Sequence, residues 1–174
     1  VIGAAREAGS RGKIAVRSND PDIDPVGACV GIKGSRVQSV VQELKGEKID
    51  IIPWHIDPAK FVCNALAPAE ISRVIIDEVN HVMEVVVPDD SLSIAIGKQG
   101  QNVRLASKLS GWHLDVISEK RYNERLQLGF ASLMDLPGMT EPLANLLFEK
   151  GYFSTEDVSK ALPEELAQEF NLSE

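Results

Sequence analysis

Apolar residues in the first 120 positions recur with two different periods, and the two periods alternate along the chain. The β-branched run Val82–Val87 is typical of a strand. Val103, Ala106 and Leu109 recur at helical spacing, which predicts a helix with one apolar face. Over residues 112–117 apolar and polar side chains alternate, as in a strand with one buried face. The pattern therefore predicts a mixed α+β fold.

The order of the predicted elements is clearest in the second half of this region. It comprises a helix over residues 58–67, strands over 71–77 and 82–87, a short helix over 92–96, a longer helix that ends at Gly111, and a strand over 112–117. The first half predicts a strand over 13–17, a short helix over 24–30, a helix over 35–45 and a strand over 48–52. A helix that leads the first unit would precede residue 1. Because the chain starts with Val1, we expect it to be a fragment or a processed product.

Two stretches of the chain repeat each other. Residues 30–52 read VGIKGSRVQSVVQELKGEKIDII, and residues 96–117 read IGKQGQNVRLASKLSGWHLDVI. The identical pairs, 66 positions apart before a one-residue deletion and 65 apart after it, include Gly31/Gly97, Gly34/Gly100, Val37/Val103, Leu44/Leu109, Gly46/Gly111, Asp50/Asp115 and Ile52/Ile117. An internal repeat indicates repeated structural units. We therefore predict tandem domains over residues 1–57 and 58–120, held in a fixed relation by a short joint that contains two prolines.

The last part of the chain has a different pattern. Residues 120–125 are polar and are expected to form a linker or the start of a helix. Residues 133–140 read LMDLPGMT and precede apolar residues at helical spacing, which indicates two helices joined by a glycine-containing turn. Ser154 is expected to cap a further helix, and Pro163 to start another. We predict a small all-α, helix-hairpin-helix-like domain over residues 121–174, in which Thr140 stands where a second glycine is usual.

The net charge of −8 is unevenly distributed. Residues 1–57 hold eight basic and eight acidic residues, residues 58–120 hold six and eight, and residues 121–174 hold four and ten. The acidic tail is therefore expected to contact proteins or to keep the domain in solution. In the first third, a basic cluster is expected to form a positive face: Arg6, Arg11, Lys13, Arg17, Lys33 and Arg36.

The few cysteines and histidines exclude several classes of protein. Cys29 and Cys63 form no Cys-x-x-Cys pair, and the three histidines lack metal-ligand spacing, so we expect no metal and no cofactor. Cysteine usage favours a reducing compartment, and no apolar run approaches the roughly 20 residues of a membrane span. We therefore expect a cytoplasmic monomer without membrane contact.

Each repeat carries a Gly-x-x-Gly sequence between its short and its longer helix, at residues 31–34 and 97–100. A helix N-terminus presents unpaired N–H groups and a partial positive charge, and glycine lets a phosphate approach closely. One such loop alone also serves as a simple turn between helices. Two loops in matching contexts, each with a lysine, favour the KH module, whose GXXG loop holds about four nucleotides of single-stranded RNA. The residues expected to contact RNA are Val30, Gly31, Ile32, Lys33 and Gly34 in the first loop, and Ile96, Gly97, Lys98, Gln99 and Gly100 in the second.

The sequence resembles the bacterial transcription factor family NusA. The resemblance rests on AREAGSRGKIAVRS at 5–18, DPVGACVGIKGSRVQSVVQELKGEKIDIIPW at 24–54, NALAPAEISRV at 64–74 and VPDDSLSIAIGKQGQNVRLASKLSGW at 87–112. It implies two prokaryotic-type (type II) KH domains in tandem that grip single-stranded nascent RNA. It also implies RNA polymerase and other transcription factors as partners during pausing, termination and antitermination. The family motifs imply flanking RNA contacts at Ser35, Arg36, Asn102 and Arg104. Since the family often has a basic residue where Gln99 stands, we expect a weaker phosphate grip in the second loop.

Two other functions are compatible with parts of the sequence. A metal-dependent nuclease would use the adjacent Asp89 and Asp90, but neighbouring residues on a helix do not share a face, which favours a helix cap. A ribosome-associated or RNA-processing KH adaptor is the other alternative. We expect no catalytic residues and predict that the chain is not an enzyme. Trp54 and Trp112 border strands, and we expect them to pack as half-buried residues rather than to stack on bases.

Overall fold

The computed structural model describes residues 1–170, which form two compact units: Val1–Glu119 and a second unit that begins at Lys120. In this described part of the chain, no helix combines the length and the apolar character needed to cross a membrane. The first unit is an α+β structure that contains both sequence repeats, and the second is helical. Both findings confirm the predicted fold class.

Within the first unit, the two repeats have the same order of elements, except that the second also has a helix before its first strand. The first repeat contains β1 (Gly3–Glu7), β2 (Arg11–Val16), α1 (Pro25–Val30), α2 (Ser35–Glu43) and β3 (Lys48–Pro53). The second contains α3 (Pro58–Leu66), β4 (Arg73–Asp77), β5 (Val82–Val87), α4 (Leu92–Ile96), α5 (Gln101–Ser110) and β6 (His113–Ser118). Each repeat builds a three-stranded sheet in which the middle strand pairs antiparallel with the strand before it and parallel with the strand after the two helices.

Strand β1 escaped the sequence pattern, which predicted strands over residues 13–17 and 48–52 in the first repeat. The segment Gly3-Ala4-Ala5 lacks the β-branched residues that mark a strand, and its extended conformation comes from pairing with β2, with Gly3 opposite Ala15. A Cβ at Gly3 would lie 3.8 Å from the Cδ1 atom of Leu109 in α5, an ordinary contact distance, so a helix of the second repeat lies directly against this strand.

The two domains share one hydrophobic core. The sheet of the first domain packs with one face against α1 and α2, and with the other against α3 and α5 of the second domain. Ala15 and Ile52 of the first sheet are buried in the same cluster as Phe61, Val62 and Leu66 of α3. The fixed relation expected from the proline-containing joint therefore has a second physical cause, which is the burial of α3 and α5 between two sheets.

Ion pairs neutralise several of the cations expected to form a positive face. Arg6 binds Glu47 at 2.7 Å, and Arg11 binds Asp50 at 2.6 Å. Lys13 is fully buried against the second domain, with its ammonium 3.2 Å from Asp50. The expectation of a positive face is therefore wrong for these three residues, because each charge is paired with a carboxylate of the first domain.

Glu47 makes the stability of the first domain sensitive to acid. Arg6 and the Gly9 N–H, which both donate to this buried carboxylate, lower its pKa from 4.5 to about 2. A carboxyl whose pKa is lower in the folded state contributes stability above its unfolded pKa and loses it as the pH falls. We expect the free energy of unfolding to fall between pH 4.5 and about 2, and Glu47→Gln to flatten that fall. Urea unfolding at a series of pH values measures this; identical slopes for both proteins would contradict it.

The second unit consists of α6 (Glu119–Met134), α7 (Glu141–Glu149), α8 (Thr155–Lys160) and α9 (Pro163–Phe170). Residues 120–125 lie inside α6, so the linker interpretation is wrong and the helix interpretation is confirmed. The predicted Ser154 cap is confirmed, since its hydroxyl accepts from the Asp157 N–H. Leu133, Ala144 and Leu147 form the buried core of this unit.

Candidate nucleic-acid interface

The two Gly-x-x-Gly segments, here called loop 1 (residues 31–34) and loop 2 (residues 97–100), have the same backbone conformation. The first glycine has φ 74° in both loops, and the last has φ 78° in loop 1 and 74° in loop 2. The third residue is also left-handed, with φ 51° at Lys33 and 53° at Gln99. Each loop is a single 3₁₀ turn that leads directly into α2 or α5. The sequence repeat thus corresponds to a repeated local structure.

The first glycine of each loop leaves room for a side chain from the following helix. A Cβ at Gly31 would lie 2.7 Å from the Cγ of Arg36, and a Cβ at Gly97 would lie 2.7 Å from the Cβ of Asn102. Both positions also have a positive φ, which disfavours L residues with a side chain. Glycine at this place is therefore required by the loop itself.

Arg36 and Asn102, which occupy equivalent positions in the two repeats, close the two loops in the same way. Arg36 Nη1 donates to the carbonyl of Ala28 at 2.6 Å. The Asn102 amide donates to the carbonyls of Ile94 at 3.4 Å and Ala95 at 3.1 Å. Each side chain thereby ties the start of the longer helix to the last turn of the shorter one. The structure thus gives both expected flanking contacts an intramolecular role.

The last glycine of each loop is less crowded than the first. The nearest atom to a Cβ at Gly34 would be Cγ1 of Val37 at 3.9 Å, and at Gly100 it would be Nη1 of Arg104 at 3.6 Å. Ligand can therefore approach the backbone at this end of the loop. Such access is what phosphate binding at the N-terminus of α2 or α5 requires.

The side chains of the two loops differ in order. Loop 1 places Ile32 second and Lys33 third, whereas loop 2 places Lys98 second and Gln99 third. Ile32 is 84% exposed, although it is apolar, and both lysines are exposed. Each loop therefore presents one ammonium group to solvent, from a different point of the turn.

An apolar cavity of about 370 Å³ lies beside loop 1. Val30 and Val37, which flank the loop, form part of its wall together with Val26 of α1. Strand β3 and the second-domain residues Ala67 and Pro68 complete the lining. Val30, which is expected to contact RNA, thus lines a groove that reaches from the first loop to the second domain.

Loop 2 lies next to the first domain. Arg104 Nε donates to Glu7 at 2.5 Å, and the Gln101 amide donates to Glu7 at 2.9 Å and to Ser10 at 2.7 Å. The hydrogen bond from Arg104, followed by that from Gln101, lowers the pKa of Glu7 from 4.5 to about 2. Arg104, which the family motif implies as an RNA contact, is therefore ion-paired within the chain.

Both tryptophans are half-buried and pack against the shared core, which confirms the packing interpretation. The Arg17 guanidinium lies 4.9 Å from the ring centroid of Trp54, and His81 stacks on Trp112 at 3.8 Å. In the described residues, no group of three or more His, Cys, Asp or Glu side chains is arranged to hold a metal ion. The candidate site is therefore the pair of loops.

A GXXG turn between two helices, backed by a mixed three-stranded sheet, occurs twice in one compact unit. This arrangement defines a tandem KH protein, a class whose loops clamp the backbone of single-stranded nucleic acid. The family model of the NusA-like first KH domain matches residues 1–54, and that of the NusA-like second KH domain matches residues 58–124. Together they span more than two thirds of the chain. The chain belongs to the NusA family.

Named relatives agree with these matches. The chain is 61% identical over 115 residues to the transcription termination/antitermination protein NusA of Bacillus subtilis, which covers 66% of the chain and 31% of that protein. It is 48% identical over 164 residues to the protein of the same name from Rickettsia prowazekii, which covers 90% of the chain and 33% of that protein. The chain thus spans about a third of the length of these relatives. The crystal structure of APE1850 has a TM-score of 0.50 and 27% identity, over 66% of this chain and 83% of that one.

Proposed function

We propose that this chain is the single-stranded RNA-binding part of a cytoplasmic bacterial transcription factor. It grips nascent RNA next to RNA polymerase, as a monomer, and modulates pausing, termination and antitermination. The names of its relatives favour this function over the ribosome-associated alternative, and they are the names of a transcription factor rather than an enzyme. The acidic helical unit that begins at Lys120 is the part we assign to protein contacts, because four basic and ten acidic residues follow residue 120.

The observation that carries this proposal is the pair of loops with the same backbone conformation in one compact unit. Each loop exposes a backbone turn at the start of a helix of nine or ten residues. Because α3 and α5 are buried between the two sheets, the loops have a fixed separation. Two weak phosphate-binding loops at a fixed separation act together on one RNA strand. Binding of the strand at the first loop raises its effective concentration at the second.

The two grips bind RNA by backbone and side-chain contacts of different kinds. The N–H groups at the start of α2 and α5 attract a phosphate, with Lys33 or Lys98 as its counter-charge. An unstacked base fits the apolar groove beside loop 1, where Val30 and Val37 lie. Both tryptophans are half-buried against the shared core, so we assign base stacking on aromatic rings a minor share of the affinity.

The experiment that tests this function is a fluorescence titration of the chain with short single-stranded RNA, single-stranded DNA and duplex RNA of matched sequence. We expect the single-stranded RNA to bind and the duplex not to compete. Equal affinity for duplex and single strand, or no binding to any of the three, would refute the proposal.

The lysine of each loop is expected to act as a phosphate contact. Lys33→Ala or Lys98→Ala should weaken binding similarly for different RNA sequences, because a phosphate contact carries no base information. Each substitution should make the slope of log affinity against log salt shallower by about 0.7. The same titration at four salt concentrations measures this. Lys60→Ala, on α3 and away from both loops, is the control and should leave the slope unchanged; a change of sequence preference with an unchanged slope contradicts the assignment.

A further inference from the structure

Glu7 is the last residue of β1 and reaches across to the second domain. It lies on the sheet face that packs against α5, and its side chain is 23% exposed. Its two carboxylate oxygens have different partners: Oε1 accepts from Arg104 Nε at 2.5 Å, and Oε2 accepts from the Gln101 amide at 2.9 Å. Ser10 accepts from the same amide at 2.7 Å. The hairpin of the first domain thus holds two residues of α5.

These two residues also fix loop 2. Gln101 directly follows Gly100, and Arg104 Nη1 donates back to the carbonyl of Gln99 at 2.9 Å. Gln99 has φ 53°, a left-handed conformation that is unfavourable for a residue with a side chain. One guanidinium therefore connects Glu7 of the first domain to the strained position of the second loop.

Loop 1 has a different residue at the corresponding position. The repeat aligns Arg104 with Gln38, which is neutral and lacks the planar fork of donors that lets one arginine bind a carboxylate and a carbonyl together. The link between Glu7, Arg104 and Gln99 is thus specific to loop 2. It also uses the guanidinium charge within the chain, which leaves Lys98 as the cation that loop 2 offers to a phosphate.

We propose that Glu7 is a positioning residue for loop 2: through Arg104 and Gln101 it holds the second GXXG turn in its RNA-binding conformation. The role rests on the proposed RNA-binding function. Because of this link, loop 2 can bind RNA only when α5 is docked on the first domain. Arg104 serves as the connecting residue and does not contact phosphate.

The test is a mutant cycle measured by RNA titration in the intact chain. Glu7→Gln keeps the side-chain shape, removes the charge and leaves one oxygen to accept. We expect it to weaken RNA binding about three- to fivefold in the otherwise unchanged chain and also in Gly34→Asp, where loop 2 is the remaining grip. In Gly100→Asp, where loop 2 is already disabled, Glu7→Gln should have no further effect. Arg104→Lys, which lacks the fork, should match Glu7→Gln.

Glu47→Gln is the matched control. It removes another short ion pair of the first domain, with Arg6, that does not involve loop 2, and it should leave RNA affinity unchanged. An equal loss from Glu7→Gln in the Gly100→Asp background would show that Glu7 acts on the whole fold and would overturn the proposal. No loss in the otherwise unchanged chain would overturn it as well. A chain that fails to bind single-stranded RNA at all refutes the RNA-binding function itself, which is a separate outcome.

Discussion

Replacing Gly34 and Gly100 together with aspartate is expected to abolish binding of single-stranded RNA while the fold is retained. Each substitution places a carboxylate where the phosphate approaches the start of α2 or α5, so an attraction becomes a repulsion at both grips. Loss of both should lower affinity by more than about 100-fold, whereas either single variant keeps one grip and loses about tenfold. The measurement is the titration with single-stranded RNA, with circular dichroism to show that the fold persists.

The fold should survive because a side chain at these two glycines would meet its neighbours only at ordinary contact distances. The first atom met by a new Cβ lies 3.9 Å away at Gly34 and 3.6 Å away at Gly100. Aspartate also tolerates a left-handed backbone better than most residues with a side chain. Gly31 and Gly97 are unsuitable for this experiment, since a Cβ there would lie 2.7 Å from a neighbouring side-chain carbon.

Gly46 and Gly111 provide a matched control within the same chain. They have φ 94° and 79°, and a Cβ at either would meet open space among the described residues. Both lie at the far ends of α2 and α5, so aspartate there imposes similar backbone strain without a carboxylate in a loop. The double variant Gly46→Asp with Gly111→Asp should bind RNA normally. If it loses binding as completely as the loop variant, the effect comes from strain and the phosphate assignment fails.

Removing the Asp50 carboxylate is expected to destabilise the first unit strongly. Lys13 is fully buried with its ammonium 3.2 Å from Asp50, and burial lowers the pKa of this lysine. Asp50→Ala leaves that charge unpaired between the two domains, and Arg11 loses its partner too. We expect the free energy of unfolding to fall by about 3 kcal/mol or more. Urea unfolding at neutral pH measures the change.

Lys13→Met distinguishes an unpaired charge from simple loss of packing. It replaces the buried ammonium with an apolar side chain of similar length, while Asp50 keeps its contacts with Arg11. The expected loss is within about 1 kcal/mol. The double variant Lys13→Met with Asp50→Ala should be more stable than Asp50→Ala alone. If Lys13→Met is as harmful as Asp50→Ala, the buried pair itself stabilises the domain interface, contrary to this account.

The sequence located the loops because their glycines are required by local backbone geometry. The turn itself imposes a positive φ at Gly31, Gly34, Gly97 and Gly100. Glycine is favoured at such positions, so the turn can be recognised from the sequence. The same holds for Val82–Val87, whose bounds match the predicted strand, since a buried strand needs a run of β-branched residues. Local rules of this kind also placed α4 and the Ser154 cap.

Other features depend on contacts between distant parts of the chain. Asp50 and Asp115 are identical positions of the repeat, yet Asp50 lies in the domain interface beside Lys13, whereas the side chain of Asp115 is 60% exposed. Both repeats have aspartate at this position. Which carboxylate is covered depends on the docking of one sheet against the helices of the other domain.

By itself, the sequence determined the elements other than β1, the repeat, the two loops and the family, because each follows from local propensity or from residues close together in the chain. Only the tertiary structure decided that α3 and α5 are buried between two sheets, and that β1 is a strand of small residues. It also showed that several cations expected at the surface are ion-paired. Arg104 illustrates the reason: its partner Glu7 is 97 residues away, and no pattern within either repeat records that contact.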